Sequence, residues 1–152
     1  MPLDQSVIGT PLPPSTLTVE AGRLRFFAEA IGERNPIFTD LAAAKAAGYA
    51  NLPVPPTFLF GIELDNPDSF SWLVDLGVDL RWVLHGEQSF TYHATAVAGD
   101  VLTATPTIGN VYTKKGGALE FIEKTSTVTR ADGTLVAELK SVIVVRNPEA
   151  AK

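Results

Sequence analysis

A chain of 152 residues with 45% apolar and 19% charged side chains makes one globular domain with enough material for a buried core. A net charge of −5, with 12 scattered Lys and Arg, leaves no phosphate-tracking stripe, and the absence of Cys excludes disulfides, thiolate metal sites and a Cys nucleophile. No apolar run approaches the ~20 residues that cross a bilayer, and Met1 to Gln5 lacks the basic-then-apolar order of a signal peptide. The expectation is therefore a cytoplasmic protein that meets neither nucleic acid nor membrane.

Residues 1–17 hold four prolines and read as an irregular arm. Thr18 is placed to cap a first helix, with Glu20 in the first turn, where an acid suits the helix dipole. Leu24, Phe27, Ala28 and Ile31 recur at helical spacing and Gly32 fits the helix end. Thr39 is placed to cap a short Ala-rich helix, Asp40 to Ala47, closed by Gly48. Pro53, Pro55 and Pro56 then impose an extended approach. Thr57 is read as the cap of a third, strongly apolar helix through Phe58, Leu59, Phe60, Ile62 and Leu64. After the loop Asn66-Pro67-Asp68, the span Trp72 to Leu76 reads as one more short helical turn.

From about Trp82 the apolar period changes from helical to two. Strands are expected over 87–97, 101–113, 118–130 and 134–146, with turns at Gly99-Asp100, Gly116-Gly117 and Asp132-Gly133. Helices followed by an antiparallel meander make an α+β class. A single sheet would bury the Thr57-led helix on its concave face, and no repeat or low-complexity tract interrupts it.

Three stretches carry a family resemblance. Gly32-Glu33-Arg34-Asn35-Pro36-Ile37-Phe38 resembles the active-site segment of MaoC-like (R)-specific enoyl-thioester hydratases, Gly-Asp-x-Asn-Pro-(aliphatic)-His, whose Asp and His carry the chemistry. Gly32, Asn35, Pro36 and Ile37 stand in place, whereas Glu33 stands for the Asp and Phe38 for the His. Leu84-His85-Gly86-Glu87-Gln88 with Ala98-Gly99-Asp100 resembles the N-terminal half of two-hotdog hydratases, the peroxisomal one included. Val54-Pro55-Pro56-Thr57-Phe58 is similar to the helix entry of fatty-acid-synthase-type dehydratase domains.

The resemblance implies a hotdog fold, an antiparallel sheet wrapped around a central apolar helix, over 18–147, with an arm at 1–17 and a tail at 148–152. It also implies a role. In such pairs the N-terminal half holds the acyl tail and the other half carries the dyad, and mycobacterial fatty-acid elongation splits the arrangement over two subunits. The expected partners are an acyl-CoA or acyl carrier protein thioester and a catalytic MaoC-like subunit, with a homodimer in isolation. No metal and no cofactor are expected.

Hydration of an enoyl thioester needs an acid–base pair, donors for the thioester oxygen and a dry acyl channel. The first amides of the Thr57 helix are the candidate donors. Asn35, Pro36, Phe38, Pro56, Thr57, Phe58, Phe60 and Trp72 are the candidate substrate-binding residues. Phe38 cannot move a proton, so the catalytic candidates are Glu33, His85 and Glu63. Each has a plainer reading: a solvated acid after a helix-ending Gly, a structural His, and an acid paired at a helix end. His93, on the Thr-rich face of its strand, reads as an exposed or interface residue. Two alternatives stay open beside the non-catalytic subunit: a self-sufficient homodimeric hydratase with an altered dyad, and a hotdog thioesterase.

Overall fold

Four long strands form the Thr-rich second half of the protein in the computed structural model, which describes residues 3–150. With β1 as Ser15–Thr18, they are β2 (Val83–Tyr92), β3 (Val101–Lys114), β4 (Leu119–Arg130) and β5 (Leu135–Arg146). All five strands lie in one curled antiparallel sheet of order β1-β3-β4-β5-β2. The short loops join β3 to β4 and β4 to β5, so the centre of the sheet is built from hairpins. Asp132 fixes the second hairpin by accepting the Thr134 amide at 2.9 Å. The single antiparallel sheet expected from the pattern, and the hotdog fold implied by the resemblance, are the architecture observed.

The alternation along β3 puts Leu102, Ala104 and Ile108 on the buried face. They meet two apolar groups. In one, Leu24, Leu52, Leu59 and Ile62 pack on Leu102, Ala104, Val128 and Val136. In the other, Leu12 and Leu73 pack with Ile108, Ile122 and Val145. Burying a side chain of this size stabilises by about 1.5–3 kcal/mol before the chain entropy is counted.

Several local expectations are corrected. The arm contains a strand: Ser15–Thr18 pairs with 101–104 of β3, so Thr18 does not cap a helix. The first helix, α1, is Ala21–Ala30, and Glu20 flanks it without a side-chain capping bond. Asp40, not Thr39, caps α2 (Leu41–Ala46), accepting the Ala42 amide at 2.9 Å. The Asp40 carboxylate sits directly before the helix and reaches its orphan amides. The third short helix, α3, is Ser71–Asp75.

The segment read as a central α-helix is buried as expected but takes another form. Phe58–Gly61 and Glu63–Asp65 are 3-10 turns, with Phe60 bonding back to Thr57 and Ile62 to Leu59. Pro56 and Pro67 leave a short window, Gly61 sits within it, and a helix that short does not sustain itself. Packing decides instead, and Phe58, Leu59 and Ile62 are all buried. Thr57 makes no side-chain cap, and the Phe58 amide donates to the Pro55 carbonyl at 3.0 Å, so it is not the open donor expected.

β2 ends at Tyr92 rather than continuing to 97. The His93 and Ala94 amides both donate to the Val136 carbonyl, which closes the ladder, and Val97 bridges to Pro53 instead. Residues 93–97 therefore leave the sheet and form a wall. Of the arm and the tail, residues 1–2 and 151–152 lie outside the described residues.

Candidate functional site

Phe38, Pro53, Pro56, Leu59 and residues 92–96 enclose a cavity of about 390 Å³ beside the end of β2. Its mouth is set by two loops. The first is 33–38. Glu33 accepts the Asn35 amide at 2.8 Å, and Asn35 accepts the Ile37 amide at 3.2 Å, so both polar side chains shape the turn that delivers Phe38. Pro36 starts the 3-10 turn Pro36–Phe38, where its missing N–H costs nothing.

The second loop is the 93–97 wall. Asp100 accepts the Val97 amide and the Arg130 guanidinium, each at 3.0 Å, while Arg130 also donates to the Thr95 carbonyl. Gly99 has φ +96°, a conformation that a side chain at this turn would strain. The Ala98-Gly99-Asp100 motif thus anchors one wall of the cavity.

Two polar groups at the end of β2 and just beyond it, Tyr92 and His93, reach this cavity. Partial burial pushes the Tyr92 phenol up to about 12, so it stays protonated and able to donate a hydrogen bond. His93 lines the same space, and its Nε2 lies 2.8 Å from Glu138 Oε2 on β5. This imidazole–carboxylate pair escaped the sequence reading. Glu138 is 45 residues from His93, and only the β2–β5 register, which places Thr91 opposite Glu138, brings the two together.

The three catalytic candidates do not converge. Glu33 is committed to the Asn35 turn. His85 is exposed, stacks on Phe60 with ring centres 4.9 Å apart, and bonds Gln88 at 3.2 Å. Glu63 turns inward to Lys124 and to the Ser126 hydroxyl.

Of the substrate-binding candidates, Phe38 and Pro56 share the first cavity. Phe58 is core, edge-on to Phe27 at 5.4 Å. Thr57, Asn35 and Pro36 are exposed. Trp72 lies elsewhere, in a second cavity of about 260 Å³ that also holds Glu63 and Lys124.

Among the described residues no cluster of three or more His, Asp or Glu is arranged to hold a metal, and no helix is long and apolar enough to cross a membrane.

Comparison with known proteins agrees with this architecture. Residues 6–139 match the FAS1-like, dehydratase domain region family. A UPF0336 protein of Saccharopolyspora erythraea is 38% identical over 148 residues, which is 96% of this chain and 93% of that protein. Another from Streptomyces avermitilis is 45% identical over 118 residues, 76% of this chain and 78% of that one.

Among solved structures, the C-terminally truncated HadBC (3R-hydroxyacyl-ACP dehydratase) complex of Mycobacterium tuberculosis superposes with TM-score 0.74 at 26% identity, covering 91% of this chain and 96% of that one. The ChsH1-ChsH2 complex of the same organism gives TM-score 0.74 at 26% identity, covering 91% and 85%. The (R)-hydratase of A. caviae shares the fold at TM-score 0.66 and 20% identity, over 90% of this chain and 94% of that one. The chain belongs to the FAS1-like dehydratase domain region family, together with the UPF0336 proteins, and has the hotdog fold of the MaoC-like hydratases.

Proposed function

We propose that this chain is the acyl-thioester-binding, non-catalytic subunit of an (R)-specific enoyl-CoA or enoyl-ACP hydratase, working on fatty-acid or related acyl thioesters in the cytoplasm. One observation carries the reading. Phe38, at the position of the family His, lines the first cavity, while Glu33, Glu63 and His85 all lie off its walls. A phenyl ring offers the acyl group an apolar contact and offers water no base. The catalytic Asp and His then come from a MaoC-like partner, as the heteromeric nature of the HadBC and ChsH1-ChsH2 complexes suggests by analogy.

The partner has a place to dock. β2 is an edge strand with β5 on one side only, and Trp82, Leu84 and Tyr92 are exposed along or beside it. Open edges of this kind are usually covered or paired. Isolated chains pair with each other there, and in the cell the partner replaces one copy.

The purified chain is expected to hydrate crotonyl-CoA ~10²–10⁴-fold more slowly than the assembled pair, the usual cost of a missing acid–base group. Co-expression with a hotdog subunit carrying the intact Gly-Asp-x-Asn-Pro-x-His should restore the rate. A second reading, a self-sufficient hydratase, draws on His93, which lines the same cavity and pairs with Glu138. Full hydration by this chain alone, abolished by His93→Gln, would establish that reading and remove the first.

A further inference from the structure

The second cavity holds a feature that the thioester reading leaves unused. Glu63 and Lys124 form an ion pair with side chains only 12% and 13% exposed. The Ser126 hydroxyl donates to the other Glu63 oxygen, and Lys124 lies over the Trp72 ring, 5.8 Å from its centre. Both charged groups open onto a cavity of mixed lining, with Leu12, Trp72 and Pro106 apolar and Ser15, Asn66 and Ser69 polar.

Burial at this level strips most of the hydration from the pair. A hydrocarbon tail entering the cavity would strip the rest and return no hydrogen bond. A carboxylate would meet Glu63, with Asp68 also on the wall. An ammonium would meet Lys124. A neutral oxygen suits the site from both sides. Lys124 has three N–H donors, and Glu63 accepts one of them together with the Ser126 hydroxyl. A ligand hydroxyl can accept a remaining Lys124 N–H and donate to a free lone pair of Glu63. The Trp72 ring takes the carbon atoms next to it.

We infer that this cavity, between α3 and the β3–β4 strands, is a specificity pocket for a ligand's uncharged hydroxyl group. Resting on the thioester-binding reading, the ligand is an acyl group hydroxylated away from its thioester, and unsubstituted fatty-acyl groups are the poorer substrates.

Trp72 reports on the pocket directly. The chain has two Trp, and Trp82→Phe leaves Trp72 as the sole Trp, read by excitation at the red edge where Tyr does not absorb. In that background, thioesters of 6- to 12-carbon chains would be titrated as matched pairs, unsubstituted against hydroxylated at the far end. At one chain length or more, the hydroxylated member is expected to bind about 10-fold or more tightly, within the range that a built hydrogen-bonding site reaches, and to shift Trp72 emission. Glu63→Gln with Lys124→Met, a pair that strands no charge, is expected to level the two affinities. Equal affinity at every length, or a preference that survives the double variant, would overturn the inference.

A second arm is independent of any thioester. Hexan-1-ol, hexanoate and hexylammonium would be titrated alone, and only the alcohol is expected to move Trp72 emission. If the alcohol acts and no thioester binds, the pocket stands and the proposed function fails. If thioesters bind while the alcohol leaves Trp72 unmoved, the pocket fails and the proposed function stands.

Discussion

The two cavities lie near the same pair of 3-10 turns and handle charge in opposite ways. At the first, the His93–Glu138 pair sits on the rim, its side chains 39% and 55% exposed. At the second, Glu63 and Lys124 are mostly buried and paired with each other. Rim groups keep their water and remain free to exchange partners, whereas the more buried pair is held by its own desolvation. On the proposed function, chemistry that needs a mobile proton belongs to the first cavity or to a partner docked against it, and recognition of a fixed polar group to the second.

The strongest way to break this contrast is to remove one member of the buried pair. Lys124→Met leaves Glu63 charged and without its cation, and a loss of about 3–5 kcal/mol is expected. Urea unfolding measures it, and a loss under about 1 kcal/mol would mean that the pair is wetter than its burial indicates. Glu63→Gln added to Lys124→Met should recover most of the loss.

Next in size is Gly86→Ala. A Cβ there would lie 2.8 Å from Val144 Cγ2 and 3.1 Å from the Val142 carbonyl, at the register shift where β2 bulges against β5. Overpacking of this kind costs about 1–3 kcal/mol. An unchanged urea midpoint would show that the bulge gives way freely.

His93→Ala should change stability by less than about 1 kcal/mol, because an exposed pair contributes little. A larger loss would move His93 from the rim to the structural frame and cancel the contrast. The smallest effect is one of pH. Tyr92 has its phenol raised from 10.0 to about 12, so the native state holds this proton longer than the unfolded chain. The sign follows: below pH 10 the residue adds no pH dependence, and between about pH 10 and 12 unfolding is increasingly favoured. Tyr92→Phe should therefore flatten the alkaline limb of the stability curve in that window. An identical limb would show that Tyr92 titrates as a solvated phenol.

The two halves of the chain differed in how far their sequence could be read. In the second half, strand alternation and the turns at Gly116-Gly117 and Asp132-Gly133 are local signals, and the hairpins follow them closely. The first half is set by long-range contacts. Ser15–Thr18 becomes a strand because β3 offers an edge, and 58–65 becomes 3-10 turns because packing outweighs a weak helix preference.

The site divides in the same way. Phe38 and Pro56 were legible through the family motif. Glu138 carries no local mark at all, and its meeting with His93 depends on a strand register that the sequence does not spell out. Glu63 invited attention as an acid on an apolar segment, but its cation, 61 residues later on β4, could be identified only in the fold.

That separation has an evolutionary consequence. A mutation at position 63 or 124 alone strands a buried charge, so the two sites are not free to drift independently. A lineage moving from this polar cavity to a hydrocarbon-lined one must pass through a less stable intermediate, whichever member of the pair changes first. Relatives with an aliphatic residue at one position are accordingly expected to carry an uncharged residue at the other. The pair at 63 and 124 would then act as a readable marker of which acyl groups each lineage accepts.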